Sequence, residues 1–348
     1  MVSLIKPETG PAPHIEEIDP TAVLPGGEIE IHGTNLGPVA NRRPVAMVGD
    51  LAAQVLLSRE SRLVLQIPEE AEGGTLRILQ NGAQSNTADV AIGNLIANEV
   101  HMVANPAVDA NGNIFATFSG ARGQETPVSI FRIDASGESQ AFASDIINAT
   151  GLALDDEGTL YVSSRHEGVI YRVTPAGAVS VYAEGMGVAT GMAFDAQRNL
   201  YVGDRSGTIF KIAPDRQIFV FATLEPSVSA YHLAFGLDGT LYVTGPTTSS
   251  FDNVYAINGN GEISVYYRGL GRPQGIAVDI AGSVYVAASI GGRRGIVCLP
   301  QSGDAHLAVA GSGIVGFAFV PGGSALVATS KAIYDVALGI EGYHVLQG

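Results

Sequence analysis

Six short stretches read almost as one: PAVD (106–109), TGLALD (150–155), TGMAFD (190–195), YHLAFG (231–236), QGIAVD (274–279) and VGFAFV (315–320). Their ends, Asp109, Asp155, Asp195, Gly236, Asp279 and Val320, are spaced by 46, 40, 41, 43 and 41 residues. Two residues before each end stands alanine: Ala107, Ala153, Ala193, Ala234, Ala277 and Ala318. Two before that is Gly151, Gly191, Gly275 or Gly316 in four units, and Asn105 and His232 in the other two. Repeats of 40-odd residues indicate one supersecondary unit stacked on copies of itself.

Outward from these stretches the period persists. Six residues past each end come Phe115, Tyr161, Tyr201, Tyr242, Tyr285 and Leu326, marking a second strand. A third is marked by Phe131, Tyr171, Phe210, Tyr255, Val297 and Tyr334. Eleven residues later comes the fourth, at Phe142, Tyr182, Phe221, Tyr266, Ala308 and Val345. Four strands per unit, six times, predict a six-bladed β-propeller over 104–348, since a radial sheet can pack on both neighbours. Small residues on the inner strand suit a wedge that narrows toward the axis. The stretch NLIANEV (94–100), inside a short linker over 93–103, is positioned as a fourth strand and is expected to pair with the last blade.

Residues 13–92 alternate with the strand period between turn signals at Pro25–Gly27, Gly33–Gly37, Gly49-Asp50, Gly73-Gly74 and Asn81-Gly82. Short, evenly spaced strands argue for a sandwich. Residues 1–12 read as a flexible, Pro-containing lead-in. The expected fold class is therefore all-β: an immunoglobulin-like sandwich, then the propeller. The short segment before the propeller is neither Gly/Ser- nor Pro-rich, so it is expected to restrain the first module.

Two families carry the same pattern. HIEEIDPTAVLPGGEIEIHGTNLG, followed by LVLQIP, GGTLRIL and NGAQSN, closely resembles an IPT/TIG domain across nearly all of 13–92. Such domains are immunoglobulin-like spacers, docking modules or dimerisation surfaces. GLALD…GTLYV and GIAVD…GSVYV resemble NHL-type repeats and, more broadly, gluconolactonase/SMP-30-like propellers. The latter resemblance implies a divalent metal held by Glu, Asn and Asp where the inner strands begin. Here those places are Ala104, Thr150, Thr190, Tyr231, Gln274 and Val315, with no carboxylate among them, and Asn148 falls two residues early. A hard cation needs several oxygen ligands, so neither a metal nor any other cofactor is expected.

Composition narrows the function further. A formal charge of −15 does not suit general nucleic-acid binding. No run approaches the ~18 apolar residues of a membrane helix, so no membrane insertion is expected. No signal peptide is visible, which points to the cytoplasm or to a mature form whose leader was removed. The lone Cys298, in the apolar run GIVCLP, reads as a buried inert thiol. His14 and His32 have no partner at metal spacing and read as surface or turn residues. Neither G-x-S-x-G nor H-E-x-x-H occurs.

Loop lengths point to a face. The second connection varies as 16, 10, 9, 13, 12 and 8, whereas the first and third are constant. In an up-and-down blade that connection and the blade-to-blade link share one end, and variation confined there marks a working surface. Six of the eleven arginines from residue 104 onward gather there: Arg122, Arg165, Arg205, Arg272, Arg293 and Arg294. His166, Asp204, Phe251 and Asp252 share it, and Asn105, Tyr231 and His232 lie at the nearby inner strands. Guanidinium forks suit carboxylates, phosphates or sugar acids. The same arginines could instead brace loops by pairing with Asp204, Asp252 and nearby carbonyls, and Asn105 and His232 could satisfy backbone or buried water. The expected function is a non-catalytic binding or interaction protein for a small anionic or carbohydrate ligand, or a protein partner. The alternative is a lactonase-like hydrolase or lyase, with Asp204 and His232 as an acid–base pair.

Overall fold

The computed structural model describes residues 11–346. Most of the expected lead-in, residues 1–10, lies outside them. Every described element is a strand, and the chain divides into two compact units.

Of the described residues, the first unit takes in 11–94 and, from much later in the chain, Leu307–Ser312. Within it Glu28–Thr34 pairs antiparallel with His14–Asp19 on one side and Arg62–Gln66 on the other. Leu51–Arg59 joins Arg62–Gln66 to Val45–Val48, which continues through Gly74–Gln80 to Ala88–Ile92. The alternation read from the sequence is the burial pattern: Ile29, Ile31, Leu63, Leu65, Leu76 and Ile78 are fully enclosed. Facing outward between them, Arg62 donates through Nε and Nη2 to the Glu30 carboxylate at 2.8 and 2.6 Å. His14 is exposed, and His32 lies 3.7 Å from the same Glu30. Val23 pairs in parallel with both Ile92 and Ala310, and Leu24 donates its N–H to the Ala310 carbonyl at 2.8 Å.

The second unit is a β-propeller in which five four-stranded antiparallel sheets are blades. Each of the first four repeats folds as a meander from the axis outward; the second, for example, runs Ala149–Leu154, Leu160–Ser164, Val169–Val173 and Val179–Ala183. The fifth repeat contributes Ile276–Val278, Val284–Ile290 and Arg293–Leu299 to this unit. Its fourth-strand marker, Ala308, belongs to the first unit. Ile276–Val278 lies beside the inner strands His232–Phe235 and Ile314–Val320, and Ile314–Val320 in turn beside Ala107–Val108.

One marker is corrected. Val345 lies in no strand. The last repeat supplies Ile314–Val320, Ser324–Thr329 and Ala332–Ala337, and the fourth strand of that sheet is Asn94–Asn98. An outer edge left open would present unpaired backbone groups, and the strand that covers it comes from the start of the repeat region.

Fixed spacings have a packing consequence. Tyr161 meets Tyr182 of its own sheet at 4.9 Å and Phe194 of the next inner strand at 5.0 Å, both edge-to-face. Tyr201 repeats this with Phe221 and Phe235. These are the favoured aromatic geometries, and they weld each blade to its successor. The terminal aspartates serve the turns: Asp155 Oδ1 accepts from the N–H groups of Glu157 and Thr159, and Asp195 Oδ1 from those of Gln197 and Asn199. A short carboxylate closing its own turn is the reason for Asp there.

Candidate functional site at the variable-loop end of the axis

Where the inner strands begin, neighbouring backbones crowd together. A Cβ on Gly151 would stand 2.3 Å from the Thr190 carbonyl, and one on Gly191 2.3 Å from the Tyr231 carbonyl. Glycine is required at these approaches. The two exceptions use the space differently. Asn105 donates through Nδ2 to the Ile276 carbonyl at 2.9 Å and accepts at Oδ1 from the Phe317 N–H at 3.2 Å. It therefore ties inner strands of the fifth and sixth repeats. His232 is 3% exposed and faces, with Asn105, Gly151, Gly191 and Met192, a cavity of about 30 Å³ on the axis. Burial pulls its imidazole pKa down to about 4, because charging a ring without water is costly. Among the described residues no hydrogen bond to that ring is formed. His232 is thus a neutral imidazole at neutral pH.

Near this mouth Arg165 lies within electrostatic reach of Arg205 and Arg122. Arg165, half-buried, has its pKa lowered by burial first, then by the charges of Arg205 and Arg122. Its Nη2 donates only to Ser119 Oγ at 3.4 Å, and its buried Nε has no partner. Arg205 donates through Nη2 to the Val228 carbonyl at 3.2 Å, with a longer Nε contact to Ser227. Among the described residues no carboxylate pairs with Arg122, Arg165 or Arg205. Asp204 and Asp252 therefore do not brace these three arginines, whereas the nearby carbonyls of Ser227 and Val228 do hold Arg205. Asp204 instead accepts from the Val188 N–H at 2.7 Å and from Ser206 Oγ, and Asp252 from Thr247. Asp204 thus ties the connection before the third inner strand to its own turn, and Asp252 organises its own loop.

The remaining candidates separate. His166 is exposed and its ring packs on Gly123, in the same loop as Arg122. Tyr231 is 1% exposed, with its hydroxyl donating to the Glu225 carbonyl, so it is core. Asn148, buried, accepts from the Gly123 N–H at 2.7 Å and donates to the Gly120 and Ala121 carbonyls at 2.9 Å. It shapes the Arg122 loop, a role that spacing alone did not reveal. Arg272 and Arg294 are exposed on the fifth repeat, with Arg293 half-buried beside them. Cys298 is buried, and burial pushes its thiol pKa up. Among the described residues no group of three or more His, Cys, Asp or Glu could hold a metal ion.

Neither a protein-family profile nor a curated protein sequence matches the chain. Solved structures do. An auxiliary nutrient binding protein from Bacteroides thetaiotaomicron superposes with a TM-score of 0.55 at 10% identity, over 94% of this chain and 98% of that one. Virginiamycin B lyase from Staphylococcus aureus gives 0.52 at 16%, over 70% and 97%. A gluconolactonase from Xanthomonas campestris gives 0.54 at 15%, over 70% and 88%. At such identities the likeness is one of fold: lyase- and gluconolactonase-type propellers share this architecture.

At the opposite end of the axis the alanines of the repeat line a cavity of about 230 Å³. Tyr343, His344, Val345 and Leu346 border it. Tyr343 donates its N–H to the Val278 carbonyl at 2.8 Å, Val345 packs beside Tyr201 and Phe235, and Leu346 beside Tyr161 and Phe194. The C-terminal segment thus lies across the end of the axis remote from the arginines.

Proposed function

We propose that this protein binds a small anionic ligand, a carboxylate or sugar acid, at the variable-loop end of the propeller without transforming it. The observation that carries this reading is the Arg122–Arg165–Arg205 group: Arg165 feels the charges of the other two, and among the described residues no acid is ion-paired with any of the three. Arg165 is the half-buried member and Arg122 and Arg205 are exposed; a half-buried cation with like charges near it and no acid bonded to it is a candidate for an arriving counter-charge. A bidentate guanidinium contact to an arriving carboxylate is worth ~1.5–3 kcal/mol. His166 and the loop shaped by Asn148 flank the same group. The fold shared with a nutrient-binding protein is compatible with this reading.

We further read the first unit as an IPT/TIG-like immunoglobulin sandwich serving as spacer or docking module. The ring is read as six-bladed, with NHL-like repeats and the fifth repeat as the remaining blade. The contacts of Ile276–Val278 with inner strands on both sides support that count. The second functional reading, a lyase or lactonase at the same mouth, is favoured by propellers of those activities among the structural relatives. Asp204 and His232 would be its acid–base residues, His232 facing the axial cavity.

The test is a calorimetric screen of hydroxy acids, sugar acids and their neutral analogues, with product analysis by NMR. Binding of the acids, weakened by salt and about tenfold or more by Arg165→Ala with Arg205→Ala, supports the first reading. Turnover of a lactone or ester, abolished by His232→Gln, supports the second. Equal binding of acid and neutral analogue by wild type and double variant would sink the arginine site.

A further inference from the structure

A second, oppositely charged site stands on the fourth repeat. Its long second connection, Thr247–Phe251, borders a cavity of about 350 Å³ lined by Glu225, Thr247, Ser249, Phe251, Asp252 and Tyr255 among others. Asp252 is 3% exposed. Its Oδ1 accepts from the Thr247 N–H at 3.0 Å and Oγ1 at 2.7 Å, whereas its Oδ2 is buried with no donor. A buried carboxylate oxygen left without a donor is costly. Neither lysine nor arginine lines the cavity, and Glu225 adds a second negative group at its edge. Phe251, 69% exposed, stands among the residues that line the cavity.

We propose that this cavity binds a small organic ammonium ion, whose head is held by Asp252 and Glu225 while Phe251 and Tyr255 wall its stem. Aromatic faces next to carboxylates suit a cation that is partly apolar. A divalent metal fits less well, since two carboxylates and hydroxyls fall short of the oxygen set it needs. Asp252 Oδ2 has no solvent-exposed surface, so the head enters as the exposed Thr248–Ser250 turn moves aside. That turn is bonded largely to itself, through Ser249 N–H to Thr247 Oγ1 and Ser249 Oγ to the Phe251 carbonyl. The site shares no residue with the arginine group, so either can fail alone.

The experiment is a titration of the full chain with n-butylammonium, 1,4-diaminobutane, 1-butanol and calcium, followed by calorimetry and by NMR of the Phe251 ring. Saturable binding of the amines, absent for butanol, is expected. Asp252→Asn should weaken it tenfold or more and Glu225→Gln severalfold, while Asp252→Asn leaves the melting temperature unchanged or raised. Calcium binding that competes with the amines, equal binding of butanol, or no amine binding by wild type would each overturn the proposal. A fall of the melting temperature in Asp252→Asn, with amine binding retained, would make Asp252 a turn brace and overturn it too.

Discussion

Replacing Arg165 by methionine should stabilise the propeller while damaging its proposed function. Methionine keeps most of the stem's volume and flexibility, so packing around the half-buried chain is largely preserved. What disappears is a buried Nε–H without a partner, repulsion from Arg205 and Arg122, and one long contact to Ser119 at 3.4 Å. An unpaired buried donor costs ~1–3 kcal/mol, and each partly exposed like-charge pair up to ~1 kcal/mol after solvent screening. Against these stands the weak hydrogen bond, at most ~0.5 kcal/mol. The net expectation is a gain of about 1 kcal/mol, which for a unit of this size raises the melting temperature by ~2–4 °C. Added salt should raise the wild-type melting temperature by screening the repulsion, and should do so less in the variant. Scanning calorimetry at low and moderate ionic strength reads both effects. A fall of more than ~3 °C in the variant, with unaltered salt dependence, would show that Arg165 braces its loops, and the argument for a ligand-awaiting cluster would collapse.

Three further outcomes are expected. His232 has a folded pKa of about 4 against 6.5 unfolded, so the unfolded chain binds the extra proton between those values. Stability should therefore drop as pH falls from ~6.5 toward 4, by up to about 3 kcal/mol, and His232→Gln should flatten that part of the melting-temperature profile; an unchanged slope would refute this. Truncation after Gly342 removes the packing of Val345 and Leu346 but no strand, so the loss should be ~2–4 kcal/mol from half-buried apolar groups. Putting aspartate at the buried Ala97 of the closing strand should cost at least as much, and chemical denaturation that shows the truncation to be far worse would contradict the strand assignment. Gly191→Ala drives a Cβ to 2.3 Å from the Tyr231 carbonyl and should destabilise by about 2 kcal/mol or more, whereas Gly313→Ala, with open space around it, should cost only the strain of its left-handed backbone, ~1 kcal/mol.

The propeller was legible in the sequence because its determinants are local and recur. The Ala of each inner strand, the Asp that closes the following turn, and the aromatics at six and eleven residues each act within one repeat or on the next. Repetition therefore exposes them. The end that carries the variable loops followed from strand direction alone, and with it the arginines. What those arginines touch did not follow. Whether Arg165 met Asp204 or another guanidinium depends on loops from different blades, whose approach no spacing encodes. The same holds for Asn105, which reads as a polar exception in sequence and becomes a tie between strands some 170 and 210 residues away.

Ring closure divides along the same line. The eleven-residue rule made Val345 look like a strand, because one β-branched residue at the right distance satisfies a pattern. Pairing, however, is decided by which segment can reach the open edge, and Asn94–Asn98 takes it. Once that edge is filled, the C-terminal residues have no sheet to join and instead bury Val345 and Leu346 at the end of the axis. Sequence by itself determined the repeat, its strands and the end where variation gathers, since these rest on short-range chemistry repeated along the chain. Tertiary structure alone decided the closing strand, the covered end of the axis and the unpaired charges, because each depends on contacts between residues remote in the chain.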